Sequence, residues 1–303
     1  MANRGSDRRT RIAEQRAAAQ RSRTRNRLLI AGGAIVAVVG IVLGFILTSG
    51  NSTTGSSSGS GAGTGAPTGQ ALANLITTTT SVPTATMDKI GAGATTTPPK
   101  AITGAPLTSG GKPEVLYIGA EYCPYCAAER WAMVVALSRF GTLSGLGVTH
   151  SASVNGAGQA EPYPNTRTWT FAHVSYASNF LTFTPVETYT NVPDPSTGFY
   201  TPLQTPTAEQ QALLTKYDSA NGGAIPFIDY GNRFLTVGVS YDPAVLSGLT
   251  WNQIATDLHN SGSPVAAGVL GTANYITAAL CKLTNDQPAS ACTSVVKSLQ
   301  GNL

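Results

Sequence analysis

The tetrapeptide Cys123-Pro124-Tyr125-Cys126 constrains this chain more than any other feature. It joins the apolar run Val115-Leu116-Tyr117-Ile118-Gly119-Ala120, which reads as a buried β-strand, to Ala127–Phe140, which reads as a helix with Gly141 as its stop. From Trp131 to Leu137 that helix is apolar on every side, which predicts a buried helix with Trp131 in the core. Two thiols at its start are placed for redox chemistry. Cys123 meets the unpaired N–H groups and the positive end of the helix dipole. Both favour the thiolate, the form that attacks a disulfide, so its pKa is expected below the free value of about 8.5. Cys123 is therefore the expected nucleophile, half-exposed at the helix end. Cys126, followed by Ala127 and Ala128, is expected to be buried, more protonated and able to resolve a mixed disulfide from within. No Lys or His adjoins the pair and Arg130 is expected to point away, which leaves the helix end to supply the shift. Tyr122 and Tyr125 flank the first thiol as an apolar docking rim.

Charge is unevenly spread. Residues 1–27 hold nine Arg against Asp7 and Glu14, a balance of +7 in a chain whose total is +4, so residues 28–303 balance at −3. A basic excess confined to a tail argues against nucleic acid as a partner of the folded part. Beside the tail, Leu28–Leu47 is an unbroken run of twenty apolar or Gly residues. As a helix it is about 30 Å long, the thickness of the hydrocarbon core. No small-x-small cleavage site follows it, so the run is expected to remain as an anchor. The positive-inside rule keeps the Arg cluster in the cytoplasm, against anionic lipid, and exports everything after Leu47. The expected organisation is a basic cytoplasmic tail at 1–27, a transmembrane anchor at 28–47, a flexible Ser/Thr/Gly/Ala stalk at 48–70 and a folded domain at 71–303.

Within that domain, scattered apolar positions at 71–93 predict short helices. Val148–Val154 reads as a second strand. Residues 155–206 hold β-type runs, such as Thr168–Phe171 and Phe180–Phe183, whose order is not readable. Thr207 with Gln210 forms a capping box for a helix ending at Asp218. Ala224–Ile228 then enters a hairpin through Gly231-Asn232 to Arg233–Val237. The remainder reads as helical, opening at Asp242-Pro243, at Thr250 with Gln253, and around 273–283 and 289–299.

All four Cys follow the anchor, where an oxidising compartment permits disulfides. Three pairings are open, and closeness in sequence favours 123–126 and 281–292. Zinc wants four ligands, and His150, His173 and His259 are scattered, so no metal site is expected. Cys281 and Cys292 flank the turn Asn285–Pro288 between two helices and read as a structural staple, contributing about 3 kcal/mol by loop closure.

Strand, CxxC, helix, and much later a helix, Ile225-Pro226 and a hairpin: this order resembles the thioredoxin superfamily. Ala120-Glu121-Tyr122-Cys123 is likewise similar to the Ala-Glu-Trp-Cys of thioredoxins. The resemblance implies an α/β, thioredoxin-like fold with an insertion at about 147–206 and a helical C-terminal extension. It implies a cis Pro226 against the CxxC, with the backbone before it pairing with bound peptide. Pro124, Tyr125, Ile225 and Pro226 then support catalytic Cys123 and Cys126, with no further cofactor. Two departures stand out. The buried Asp that thioredoxins carry six residues before the first Cys is Tyr117 here, and Glu129 is the candidate substitute. Cys126 and Pro226 are 100 positions apart, more than the fold needs, so 147–206 reads as an insertion or extra strands. The Pro-Tyr pair between the cysteines also occurs in glutaredoxins. The longer tract Gly111–Trp131 is similar to a group of membrane-anchored prokaryotic proteins classed as a domain of unknown function, a likeness running from about residue 72 to the C-terminus. The activity these features imply is an exported, membrane-anchored thiol–disulfide oxidoreductase acting on protein thiols or disulfides, with a membrane redox partner. The alternative is a thioredoxin-like binding module whose insertion holds a partner while Cys123–Cys126 is a permanent disulfide.

Overall fold

The apolar run before the CxxC is the central strand of the molecule. In the computed structural model, which describes residues 65–218 and 222–303, helices α1 (Gly69–Thr80) and α2 (Thr84–Ile90) come first, with Leu75 and Met87 buried. The apolar run at 28–47, the basic tail and most of the stalk lie outside the described residues. Strands β1 (Lys100–Ala101) and β2 (Thr108–Ser109) lead into β3 (Lys112–Gly119), then α3 (Pro124–Ser138). Seven short strands follow: β4 (Thr142–Ser144), β5 (Gly147–His150), β6 (Arg167–Thr170), β7 (Ser175–Ala177), β8 (Thr182–Glu187), β9 (Tyr189–Asp194) and β10 (Phe199–Pro202). The chain continues through α4 (Ala208–Asp218), β11 (Phe227–Tyr230), β12 (Phe234–Val237), α5 (Trp251–Asp257), α6 (Pro264–Leu283) and α7 (Ser294–Leu299). All of this is mixed α/β structure within one compact unit, Gly63–Leu303.

Every residue from Val115 to Ala120 is buried, because β3 is covered on both faces. Val115 and Tyr117 pack into one apolar cluster with α3 and α6, and Leu116 and Ile118 into another with Leu214 of α4. β8 runs parallel to β3, Glu114–Gly119 lying opposite Thr182–Glu187. On the other side β11 and β12 follow, each antiparallel to its neighbour, with β1 at the edge and β2 on the start of β3.

The expected second strand at 148–154 is displaced. Residues 147–150 pair with β6 in a hairpin off the main sheet, and β8 is the neighbour of β3. The physical reason is burial: no residue of β5 is fully buried, whereas β8 brings Phe183, Val186 and Glu187 inside. The stretch 147–206 thus gives the main sheet one strand, β8, and otherwise forms the hairpins β5–β6 and β9–β10 and a strand, β7, that pairs with β4. α3 starts three residues earlier than periodicity predicts, since Pro124 has the fixed φ and the missing N–H that suit the first helical position. The capping boxes read at Thr207 and Thr250 both form.

α6 is longer than the 273–283 read from sequence. Pro264 opens it and the Ser263 hydroxyl accepts the Val265 N–H. Among the described residues it is the one helix long and apolar enough to cross a membrane, yet 89% of its most apolar window is buried inside the unit. A helix apolar on all sides and covered by protein is a core element. Cys281 at its end is bonded to Cys292, with Cα atoms 5.8 Å apart.

Candidate functional site

Cys123 is the N-cap of α3, and the Cys126 N–H donates to its Sγ at 3.3 Å. The Cys123 thiol in turn faces the Ile225 carbonyl at 3.8 Å. Both thiols are free, and the Ile225–Pro226 bond is cis. Ile225 packs with Tyr122 and Tyr189 around the two sulfurs. The fold therefore gathers Cys123, Pro124, Tyr125, Cys126, Ile225 and Pro226 in one place. Cys281 and Cys292 are tied to each other. The Asp286 carboxylate lies within 4.8 Å of their sulfurs, but sulfurs held in a disulfide are not the thiolates a metal requires.

Cys123 is not half-exposed; it is 4% exposed and Cys126 is 0% exposed. The cover comes from the β9–β10 hairpin. Tyr122 stacks on Tyr200 with ring centres 4.1 Å apart and meets Phe199 edge-on. Tyr125 remains exposed and touches Tyr163. Trp131 is core, as read, and its indole donates to the Arg167 carbonyl at 2.9 Å.

Arg130 does not point away. It is fully buried, and its Nη1 donates to both Glu187 oxygens (2.9 and 3.0 Å), to Tyr117 Oη (3.1 Å) and to the Ala120 carbonyl (3.2 Å). The reason is helical spacing: four residues after Cys126, Arg130 shares its helix face. Glu187 reaches it from the end of β8, where it pairs with Gly119. Gly119 is needed there, because a Cβ would lie 2.1 Å from Tyr117 Oη and block the phenol from Arg130. Glu129, the candidate for the missing carboxylate, is buried elsewhere on α3. It accepts the Ser240 N–H at 3.0 Å and the Ser240 hydroxyl at 2.9 Å, and burial pushes its carboxyl up to about 7. The carboxylate beside Arg130 is Glu187.

These surroundings make the two thiols unequal. Burial works against a thiolate at Cys123. The thiol and N–H of Cys126 and the charge of Arg130 outweigh it, so the Cys123 pKa falls below its ordinary value. Burial drives Cys126 well above the ordinary value, reinforced by its bond to Cys123. Burial raises Tyr117 well above the phenol range, so it stays neutral. Burial also raises Glu187, against the pull of Arg130. Beside the thiols lies a cavity of about 350 Å³, bordered by Tyr122, Tyr189, Phe199 and Ile225.

Residues 99–213 match a family model described as a domain of unknown function (DUF929). The matched stretch carries β3, the CxxC, Arg130 and Glu187, and ends before Ile225. No curated protein and no solved structure matches the chain.

Arg130, Glu187 and the aromatics of the hairpin were missed from sequence. Arg130 carried a usable signal, its spacing from Cys126. Glu187, Phe199 and Tyr200 carried none, since they arrive from 60 or more positions away along the chain.

Proposed function

We propose that this chain is a thioredoxin-like thiol–disulfide oxidoreductase, held in the membrane by residues 28–47 with its folded unit outside the cytoplasm. The strand order β8–β3–β11–β12, parallel only between β3 and β8, supports the fold assignment, together with a CxxC after β3 and a cis proline opening β11. The observation that carries the function is the asymmetry of the thiols: a capping sulfur favoured as thiolate beside a buried, protonated partner one turn on. The Cys123 thiolate attacks one sulfur of a substrate disulfide. A new S–S bond forms, the substrate S–S bond breaks, and the leaving sulfur takes a proton. Cys126 then loses its proton and attacks Cys123 Sγ, releasing the second substrate thiol. The substrate disulfide gains two electrons and the Cys123–Cys126 pair gives them up; run backwards, the same steps oxidise a dithiol. Exported polypeptides are the substrates, and a membrane-bound thiol–disulfide partner resets the pair.

The test is a Cys126→Ser variant, which should accumulate mixed disulfides on Cys123 that dithiothreitol releases, with Cys123→Ser trapping nothing. The wild-type pair should have a potential above about −300 mV, the region of inert structural disulfides. A lower potential together with no trapped species would favour a non-catalytic binding module. Protease added to intact cells should digest the folded unit and spare residues 1–27.

A further inference from the structure

The exposed large apolar side chains of the described residues are not scattered. Tyr125, Val154, Val192, Phe199 and Leu203 belong to the CxxC turn, the β9–β10 segment and the loop packed on it. That loop is seated closely: a Cβ on Gly156 would lie 2.3 Å from the Asp194 carbonyl and 2.5 Å from the Phe199 nitrogen. Exposed apolar groups gathered in a few neighbouring segments mark an interaction surface. Of the five, Phe199 borders the cavity beside the CxxC turn. Ile118, Leu214 and Ile225 line it with the rings of Tyr122, Tyr189 and Phe199, and its polar contributors, Gln204 and Gln211 among them, are neutral.

The segments that carry the rim of this cavity also carry carboxylates. Glu161 accepts the Tyr200 hydroxyl at 2.6 Å, and Tyr200 is the ring stacked on Tyr122 beside the thiol. Asp194 stands at the hairpin turn, and Glu121 adjoins Tyr122. Among the described residues no Lys, Arg, Asp or Glu lines the cavity, and Arg130 is fully buried against Glu187, with no charge to offer a ligand at the surface. A small disulfide recognised by its carboxylates needs cationic donors, and this lining offers none.

We propose that the site takes cysteines carried in neutral, apolar polypeptide segments, seating an apolar side chain next to the cysteine in the cavity, and that it discriminates against glutathione disulfide. The proposal rests on the redox reading above and names its substrate class.

The experiment uses the full chain in neutral detergent, with the Cys123–Cys126 pair reduced. The probes are five-residue peptides whose central Cys carries a 2-pyridyl disulfide, flanked by Leu, Gly or Glu. Each releases the same coloured thiopyridone when Cys123 attacks. Glutathione disulfide and the small neutral 2,2′-dipyridyl disulfide are run beside them. The Leu-flanked peptide should react about tenfold faster than the Gly-flanked one, as expected for partial burial of one Leu, and the Glu-flanked peptide and glutathione disulfide slower still. Phe199→Ala should bring the ratio of the Leu-flanked to the Gly-flanked rate most of the way to one. Glu161→Gln should raise the ratio of the glutathione disulfide rate to the Leu-flanked rate about twofold, the effect of one nearby surface charge. Equal rates across the three flanks, or glutathione disulfide outpacing the Leu peptide, would overturn the substrate class while leaving the redox function in place. If even dipyridyl disulfide fails to oxidise the pair, the redox function falls and the substrate class with it.

Discussion

Replacing Arg130 with Met would leave Glu187 buried without its counter-ion. The two side chains are 2.9 Å apart and both are 0% exposed. Removing one partner of a buried ion pair costs about 3–5 kcal/mol, most of it the penalty of the orphaned charge. The double variant Arg130→Met/Glu187→Leu removes both charges and should recover most of that loss. It would not recover all, because the Phe171 N–H donates to Glu187 at 3.3 Å and the Tyr117 hydroxyl accepts from Arg130, and lost bonds of this kind cost about 1 kcal/mol each. The single variant also has a pH signature. Burial already raises Glu187, and losing Arg130 raises it further. The folded state then holds a proton that the unfolded chain releases near 4.3, so stability rises as pH falls through that interval. The deficit of Arg130→Met should therefore be smaller at pH 5 than at pH 8. The assay is urea unfolding of the 63–303 unit with an unchanged m-value, and iodoacetamide rates at Cys123 against pH. Both variants should show a raised Cys123 pKa, since both lose the guanidinium. A double variant as unstable as the single, or a Cys123 profile unmoved in both, would refute the reasoning.

Alkylation of the reduced protein should modify Cys123 first, with a midpoint below about 8.5, while Cys126 reacts only once the unit opens; reversed order would overturn the assigned roles. Cys281→Ser/Cys292→Ser should lose about 3 kcal/mol in denaturant titration, from opening a loop of 11-residue separation, yet keep thiol reactivity at Cys123. Glu129, raised to about 7 against an unfolded value near 4.3, retains its proton in the folded state between these values, so stability falls as pH climbs through them. Wild type should lose roughly 2–3 kcal/mol between pH 5 and 8, and Glu129→Gln should flatten that slope; parallel curves would show that Glu129 does not titrate there.

What was legible in the sequence was local. The strand before Cys123, the helix after it, the caps at Thr207 and Thr250, the hairpin at Gly231-Asn232 and the 281–292 bridge each depend on residues a few positions apart, where periodicity and turn chemistry operate. The environment of the thiols depends on partners far along the chain. Exposure of Cys123 was misjudged because Tyr189, Phe199 and Tyr200 return from a hairpin whose own strands have no strong alternation. The second sheet strand was misplaced because β-type runs are readable both at 148–154 and at 180–183, and only burial against β3 separates them. Arg130 was misjudged because a helix reading gives the face a side chain occupies, but not the carboxylate waiting on a neighbouring strand.

The carbonyl facing Cys123 belongs to a residue 102 positions later in the chain, and the covering rings arrive some 70 positions after the thiol. A polypeptide emerges from its N-terminal end at about 5–20 residues per second, so the two thiols exist for roughly 5–20 s before Ile225 has been made. For roughly the first 4–15 s of it they have no hairpin above them, and for all of it no β11 beside them, so oxidants and foreign thiols can reach both. Cys281 and Cys292, by contrast, appear last and within about 0.5–2 s of each other. The nascent chain thus passes through a stage in which its reactive pair is open while its staple does not yet exist, and the chemistry of its surroundings at that moment decides the state in which the dithiol is enclosed.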